Sequence, residues 1–341
     1  MPTHESAVIV GAGPIGLACA IAARRRGVDP LVIDAGPIAS SIVRYAVGMV
    51  FFTTPERLEI GDHPMVCSGA KPTREEALMY YRGVARAERL RIRTYTRLES
   101  AARGDRGVDC RVLTRLGADV VTTDRLVLAT GYLEHPNRLG IPGEQLPHVS
   151  HYPDEAHLLV GLDVIIVGGK NSAIELALNA YRAGARVTVV HRGAELKASV
   201  KYWLKPDFEN RVKAGEIAVR WQANVTEISE AAVTIRLANG TIEALPADRV
   251  YLLTGYHPDF ELFERIGIRL EAGTGRPEHD PETLETNVPG VYLAGSVTAG
   301  RFISEVFIEN GKYDGEKIFG DPVSRGQADA AIQGINRPVG E

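Results

Sequence analysis

Ala7-Val8-Ile9-Val10-Gly11-Ala12-Gly13-Pro14-Ile15-Gly16 is a short apolar run that ends in G-x-G-x-x-G, and Leu17-Ala18-Cys19-Ala20-Ile21-Ala22-Ala23 after it suits a helix. Strand, glycine turn and helix in that order form a dinucleotide fingerprint, and each glycine has its own task. The first makes the tight turn, the second lets the backbone approach a pyrophosphate, and the third lets helix and strand pack closely. The helix N-terminus adds unpaired N–H groups and the positive end of the helix dipole. A lone G-x-G-x-x-G is weak evidence. Here Leu31-Val32-Ile33-Asp34 reads as the next strand and ends in a carboxylate, which suits a ribose diol and repels a phosphate.

The same order of elements starts again at Leu162. Val164-Ile165-Ile166-Val167 leads into Gly168-Gly169-Lys170-Asn171-Ser172-Ala173, a helix through Ala183, and the strand Arg186-Val187-Thr188-Val189-Val190. Leu126-Val127-Leu128-Ala129-Thr130-Gly131 in the first half is echoed by Val250-Tyr251-Leu252-Leu253-Thr254-Gly255 in the second. Matching order, fingerprints and strand-ending Thr-Gly pairs indicate an internal duplication of a dinucleotide-binding unit. Between the landmarks, a loop runs from Ala35 to about Pro72, with an aromatic pair at Phe51-Phe52 that argues for order. Thr73-Arg74-Glu75-Glu76 is a capping box opening a helix with Ala77, Leu78, Tyr81, Val84 and Ala85 on one face. Arg91–Tyr95 reads as a strand, and Cys110–Leu116 with Asp119–Thr123 as a hairpin about Gly117. In the second half, a helix is expected over Asp207–Ala214 and β segments over 217–221, 223–228 and 233–237, with a hairpin turn at Asn239-Gly240. Gly290–Gly295 reads as a last buried strand and Ser304–Phe319 as a helix. The final twenty or so residues, Gly/Pro-punctuated and polar, read as tail.

The two copies differ where a ribose would be read. Asp34 stands 23 residues after Gly11 (34 − 11), and His191, followed by Arg192, stands 23 after Gly168 (191 − 168). An acid suits a free 2′-hydroxyl and a basic pair suits a 2′-phosphate; Lys197 is a further candidate for that phosphate. Lys170 replaces the second fingerprint glycine, so the backbone approaches less closely there and an ammonium compensates. Two dinucleotides in one chain imply electron transfer between a bound redox cofactor and a diffusing hydride donor, which is the plan of an FAD/NADPH flavoprotein. The expected fold is α/β, with two Rossmann-like dinucleotide-binding domains, each a three-layer ββα sandwich, and the NADPH domain inserted into the FAD domain. The expected boundaries are 1–131 with 256–341 for FAD and 132–255 for NADPH.

Composition excludes other classes. A formal net charge of −4 over 341 residues gives no electrostatic case for nucleic acid or an anionic membrane. No apolar run approaches a membrane span, and Met-Pro-Thr-His-Glu runs straight into the first strand, with no room for a signal peptide. The cytoplasm is the expected compartment. Cys19, Cys67 and Cys110 are scattered and odd in number, with no C-x-x-C, which argues against a disulfide framework. His148, His151 and His157 lie close in sequence but lack metal-ligand spacing, so they are read as loop residues and no metal is expected.

The order G-x-G-x-x-G, Ala129-Thr130-Gly131, Gly168–Ala173, Val189–Arg192 and Gly290–Gly295 resembles the low-molecular-weight thioredoxin-reductase superfamily over nearly the whole chain. Phe51–Asp62, Gly168–Ile174, Gly255-Tyr256-His257-Pro258-Asp259 and Phe307–Lys312 look like its bacillithiol-disulfide reductase branch. The resemblance implies tightly bound FAD, NADPH as donor, a homodimer or homotetramer, and a small disulfide or a redox carrier protein as acceptor. The candidate FAD residues are Gly11, Ala12, Gly13, Pro14, Gly16, Asp34, Ala35, Ser41, Thr130, Gly131, Gly295 and Ser296. Gly295 and Ser296 are implied at the ribityl and pyrophosphate region, and the helix from Ser304 is implied to point its N-terminus at the isoalloxazine. The candidate NADPH residues are Gly168, Gly169, Lys170, Asn171, Ser172, His191, Arg192 and Lys197. In that branch a cysteine often occupies the position of Ile15 and is the proposed redox thiol; isoleucine cannot form a thiolate. Cys19 is expected in the core, so no catalytic residue is assigned. A ferredoxin- or flavodoxin-NADP reductase, a flavin monooxygenase and a non-catalytic NADPH/FAD redox sensor share this two-nucleotide plan.

Overall fold

A computed structural model describes residues 3–336. The chain divides into two compact units, one of residues up to 43, 53–135 and from 256, the other of residues 44–52 and 136–255. The short Arg44–Phe52 segment, which lies inside the long loop of the first half, belongs to the second unit.

In the first unit the central strand Val8–Val10 pairs in parallel with Leu31–Ile33 on one side and Leu126–Leu128 on the other. Arg91–Arg93 and Val291–Leu293 complete a five-stranded sheet at its two edges. The alternation of these strands builds two cores. Val8, Val10, Leu31, Ile33, Leu126 and Leu128 face one way, onto Leu98, Val108, Cys110, Val112 and Val121 of an antiparallel meander. The intervening Ile9, Val32 and Val127 are also fully buried, as are Leu17 and Ile21 of the helix Pro14–Arg25. Each such aliphatic side chain contributes about 1.5–3 kcal/mol on burial. The result is a three-layer ββα sandwich.

The second unit repeats this plan. Asp163–Val167 lies between Arg186–His191 and Arg249–Leu252, with Ala218–Trp221 and Val149–Ser150 outside them. Val164, Ile166, Val187 and Val189 pack on the helix Asn171–Ala183 and on Phe208. Ile165, Val250 and Leu252 pack on the meander residues Val225, Val233, Ile235 and Leu245. The duplication extends to single hydrogen bonds. Gly11 N–H donates to Ile33 O at 2.7 Å and Gly168 N–H to Val190 O at 3.0 Å; Ala129 N–H reaches Val10 O and Leu253 N–H reaches Val167 O, both at 2.8 Å.

Several local expectations are met. Thr73 and Glu76 form a reciprocal capping box at the start of Arg74–Ala87, and Gly117 and Gly240 both lie in hairpin turns with positive φ. Others are corrected. The loop from Ala35 contains two short helices, Ser40–Val43 and Pro55–Leu58, and a strand, Arg97–Gly104, precedes the expected hairpin and makes it a meander. The helix expected from Asp207 starts earlier, spanning Leu204–Lys213. That expected over Ser304–Phe319 is two short helices, Ile308–Gly311 and Asp314–Phe319. Asn310 Oδ1 accepts the Phe307 N–H at 2.8 Å and sets the later start. Within the expected tail, Pro322–Asn336 is helical. Asp321 accepts the Ser324 N–H at 2.8 Å, Pro322 suits a first turn, and Ala328 is buried, so small residues here fill a contact instead of marking disorder. The rest of that tail, 337–341, lies outside the described residues.

Candidate active site

The first glycine turn shows three different uses of glycine. A Cβ on Gly11, whose φ is +113°, would stand 2.3 Å from Ala129 O, and one on Gly16 would stand 1.8 Å from Gly11 O. Those two positions are closed by the protein's own backbone. At Gly13, the N-cap of Pro14–Arg25, a Cβ would meet nothing within 4 Å. That open face leaves the helix N-terminus accessible to an anion such as a pyrophosphate, and Pro14 at the first helical position has no N–H to leave unpaired. Thr130 Oγ1 supplies a second sign of fit. It is buried and lacks a hydrogen-bond partner among the described residues, and a buried hydroxyl left so is costly unless a ligand takes it.

Asp34 has a task that spacing did not show. Its Oδ2 accepts the Ala12 N–H and its Oδ1 accepts the Gly36 N–H, both at 2.7 Å, with Ser40 Oγ at 3.4 Å from Oδ2. The carboxylate therefore pins the glycine turn to the loop after the second strand. Two carboxylate oxygens offer about four acceptor sites, so room remains for a ribose hydroxyl. Burial pushes this carboxyl up, against the lowering effect of those three bonds. Ala35 follows it half-buried, and Ser41 Oγ lies 3.9 Å from where a Cβ on Gly131 would be. Gly295 donates its N–H to Asp314 Oδ2 at 2.6 Å, and Ser296 beside it is buried. Burial pushes the Asp314 carboxyl up to about 7, opposed by that bond. Asp314 was not legible as a site residue, because nothing local ties it to Gly295.

The second turn is built in a similar way. A Cβ on Gly168 would stand 2.7 Å from Leu253 O, the counterpart of the Gly11 contact. Lys170 is the exposed N-cap of Asn171–Ala183, and Ser172 is exposed beside it. Asn171 is already engaged, its Oδ1 accepting the Lys201 N–H at 2.7 Å. His191 does not project freely. Its ring would be 2.3 Å from a Cβ on Gly169 and 2.8 Å from one on Gly193, and it meets Trp221 edge-on at 5.8 Å. Burial lowers its pKa, Arg192 and Lys197 act the same way, and the carbonyls of Gly168 and Glu195 oppose them. It is therefore neutral near pH 7, which leaves the exposed Arg192 and Lys197 as the cations of this loop.

No thiol near the first turn is set up for redox chemistry. Cys19 is fully buried and its thiol is pushed well up, first by burial and then by Asp314 and Glu316. Burial pushes Cys110 up to about 12. Cys67 is half-exposed, its Sγ donating to Gly69 O at 3.0 Å. Ile15 fills the space between Gly295 and Gly311, where a Cβ on either would stand 2.6 or 2.7 Å from its Cδ1. Cys19→Ala should leave flavin content and disulfide turnover within about twofold of the parent, since only a thiolate attacks. A loss of turnover with FAD retained would assign Cys19 a redox task. Of the histidines, His151 contacts Leu252 O at 3.2 Å and Glu144 at 3.4 Å. Among the described residues no cluster of His, Cys, Asp or Glu could hold a metal, and no helix is long and apolar enough to cross a membrane.

Two ββα units, each with a glycine turn at the carboxyl end of its central strand, define a two-dinucleotide oxidoreductase. The chain belongs to the pyridine nucleotide-disulphide oxidoreductase family, which matches residues 8–295. Its cofactors are FAD and a pyridine nucleotide. It is 39% identical over 322 residues to bacilliredoxin reductase Bdr of Bacillus subtilis, covering 94% of this chain and 98% of that one. The bacillithiol disulfide reductase Bdr (YpdA) structure from Bacillus cereus superposes with a TM-score of 0.91 at 37% identity, covering 95% and 100% of the two chains. A ferredoxin–NADP reductase of Ignicoccus hospitalis is 28% identical over 299 residues, covering 86% of this chain and 90% of that one.

Proposed function

We propose that this protein is an NADPH-dependent flavoprotein reductase whose acceptor is a low-molecular-weight thiol disulfide of the bacillithiol-disulfide kind. Likeness to the Bacillus cereus bacillithiol disulfide reductase over 95% of this chain supports the acceptor class. The two turns carry the cofactor assignment, with Asp34 at one and Arg192 with Lys197 at the other. In the balanced reaction NADPH and one proton reduce the disulfide to two thiols, leaving NADP+. Bound FAD supplies the two-electron relay between the two half-reactions.

The chain's own residues bind and orient. Gly13 and the N–H groups of Pro14–Arg25 receive the FAD pyrophosphate, while Gly11 and Gly16 hold the turn shut behind it. Asp34 offers its remaining acceptor sites to the adenosine ribose, and Thr130 and Ser296 offer hydroxyls. The helix Asn171–Ala183 receives the NADPH pyrophosphate between Gly168 and Ser172, with the Lys170 ammonium beside it. Ile15 seals the packing against Gly295 and Gly311 and offers no sulfur, so no disulfide exchange with the chain runs through that position. We infer a homodimer or homotetramer in the cytoplasm, the assembly being readable by sedimentation equilibrium and the compartment by fractionation.

A ferredoxin or flavodoxin reductase is the second reading, favoured by the absence of an activated thiol beside the first turn. One experiment separates them: anaerobic reduction by NADPH, then equal additions of bacillithiol disulfide, ferredoxin, flavodoxin and oxygen. Reoxidation by the disulfide alone, with two thiols released per NADPH, is the expected outcome. Reoxidation by a carrier protein with no response to disulfides would replace the first reading with the second.

A further inference from the structure

Glu175 lies in the helix Asn171–Ala183 amid buried Ala173, Ile174, Leu176, Ala177 and Leu178 and is itself only 9% exposed. Its partner is Lys201, 5% exposed, with Nζ 3.2 Å from Glu175 Oε2. Neither residue is among the cofactor ligands assigned above. A buried ion pair is weak evidence for stability, because desolvation offsets most of the attraction. This pair also does something else. Lys201 Nζ donates to Val50 O at 2.8 Å, and the Glu175 carboxylate accepts the Val50 N–H. Donor and acceptor together grip both polar groups of one peptide residue, as a neighbouring strand would.

Val50 belongs to Arg44–Phe52, the segment that leaves the first half of the sequence to pack in the second unit. Next to it, Phe52 stacks on Trp203 at 5.9 Å, and the Lys201 ammonium lies 5.6 Å from the same indole. Through its backbone the same lysine reaches the nucleotide turn, because Lys201 N–H donates to Asn171 Oδ1 at 2.7 Å. Asn171 opens the helix whose N-terminus faces the phosphates. A continuous set of direct contacts thus joins the glycine turn to Val50.

We propose that Lys201 and Glu175 are positioning residues of the pyridine-nucleotide site, which hold Val50 and the Arg44–Phe52 segment against the first turns of the helix that receives the nucleotide. The inference rests on the assignment of Gly168–Ser172 to NADPH. With the grip intact, the first helical turn is preorganised for the pyrophosphate, and binding costs little further ordering. With it lost, nucleotide binding must first restore the turn, so affinity falls while the rate at saturation does not.

The test is the paired variant Lys201→Met/Glu175→Leu, which removes both charges, keeps similar volumes and leaves no buried ion unpartnered. Its FAD content reports that the first unit is intact. Two quantities are then read: NADP+ affinity by titration, and hydrogen exchange of the Val50 amide with and without NADP+. In the parent protein, exchange at Val50 is expected to be slow and to slow further with NADP+. In the variant it is expected to be fast, with NADP+ affinity roughly tenfold weaker, a typical coupling between sites. Flavin reduction at saturating NADPH is expected within about twofold of the parent, the split that marks lost binding without lost chemistry. Unchanged NADP+ affinity in a variant whose Val50 amide exchanges fast overturns the proposal. So does a parent amide that ignores NADP+. Failure of the underlying assignment looks different: the parent protein itself would not bind NADP+, or would bind it equally after Arg192→Ala.

Discussion

NADPH should reduce the flavin roughly tenfold to a hundredfold faster than NADH at equal, subsaturating concentration, and Arg192→Ala should remove most of that preference. The figure follows from one charge-assisted hydrogen bond, worth about 1.5–3 kcal/mol, to a 2′-phosphate that NADH lacks. Arg192 and Lys197 are exposed, so screening matters, and the preference should shrink as salt rises above physiological ionic strength and the Debye length falls below about 8 Å. His191 contributes little charge because burial keeps its imidazole neutral near pH 7. The preference should therefore stay nearly flat from neutral pH upward, where the guanidinium keeps its charge. Stopped-flow reduction with both nucleotides, repeated at three salt concentrations, checks this. Equal rates for the two nucleotides would remove the assignment of this turn to a phosphorylated ribose.

The second large effect concerns the first turn. Gly16→Val should give protein with FAD content down to about a tenth or less, a loss of at least 1.4 kcal/mol in cofactor binding. The added Cβ alone would stand 1.8 Å from Gly11 O, a backbone atom with no room to give. Relief requires the helix Pro14–Arg25 to move off the sheet, which takes its N-terminus away from the pyrophosphate. Gly13→Ala is the contrasting control. Nothing lies within 4 Å of its added Cβ, so the protein should fold as before and lose FAD affinity by obstruction alone. Flavin absorbance of purified protein and thermal melting separate the two. A Gly16→Val protein that is fully yellow would show that this turn does not hold the cofactor.

Part of the candidate site is legible in the sequence alone. The Gly11 and Gly16 positions could be read because the fingerprint encodes local backbone demands, and the equal spacing to Asp34 and His191 located two corresponding strand ends. The basic loop was legible as charge, but the state of His191 was not. Its ring lies over Gly169 and Gly193 and contacts Trp221, which come together only through the packing of separate strands and turns. Glu175 did leave a sequence signal, a lone acid inside an apolar helical run, whereas its partner Lys201 lies in a stretch with no periodicity to read.

What the sequence determined by itself is the repeated ββα architecture, because period-2 strands, glycine turns and helix starts are each set by neighbours a few residues away. What the tertiary structure alone decided is which distant groups share those turns. Asp34 accepts the Ala12 N–H, Asp314 accepts the Gly295 N–H, and Ile15 fills the gap between Gly295 and Gly311. Lys201 and Glu175 carry Arg44–Phe52 into the second unit by gripping Val50. For the polar groups the physical reason is the same: a buried polar group must find a partner, and only the packed chain brings that partner within 3 Å or so; Ile15 fills space that only the packed chain defines.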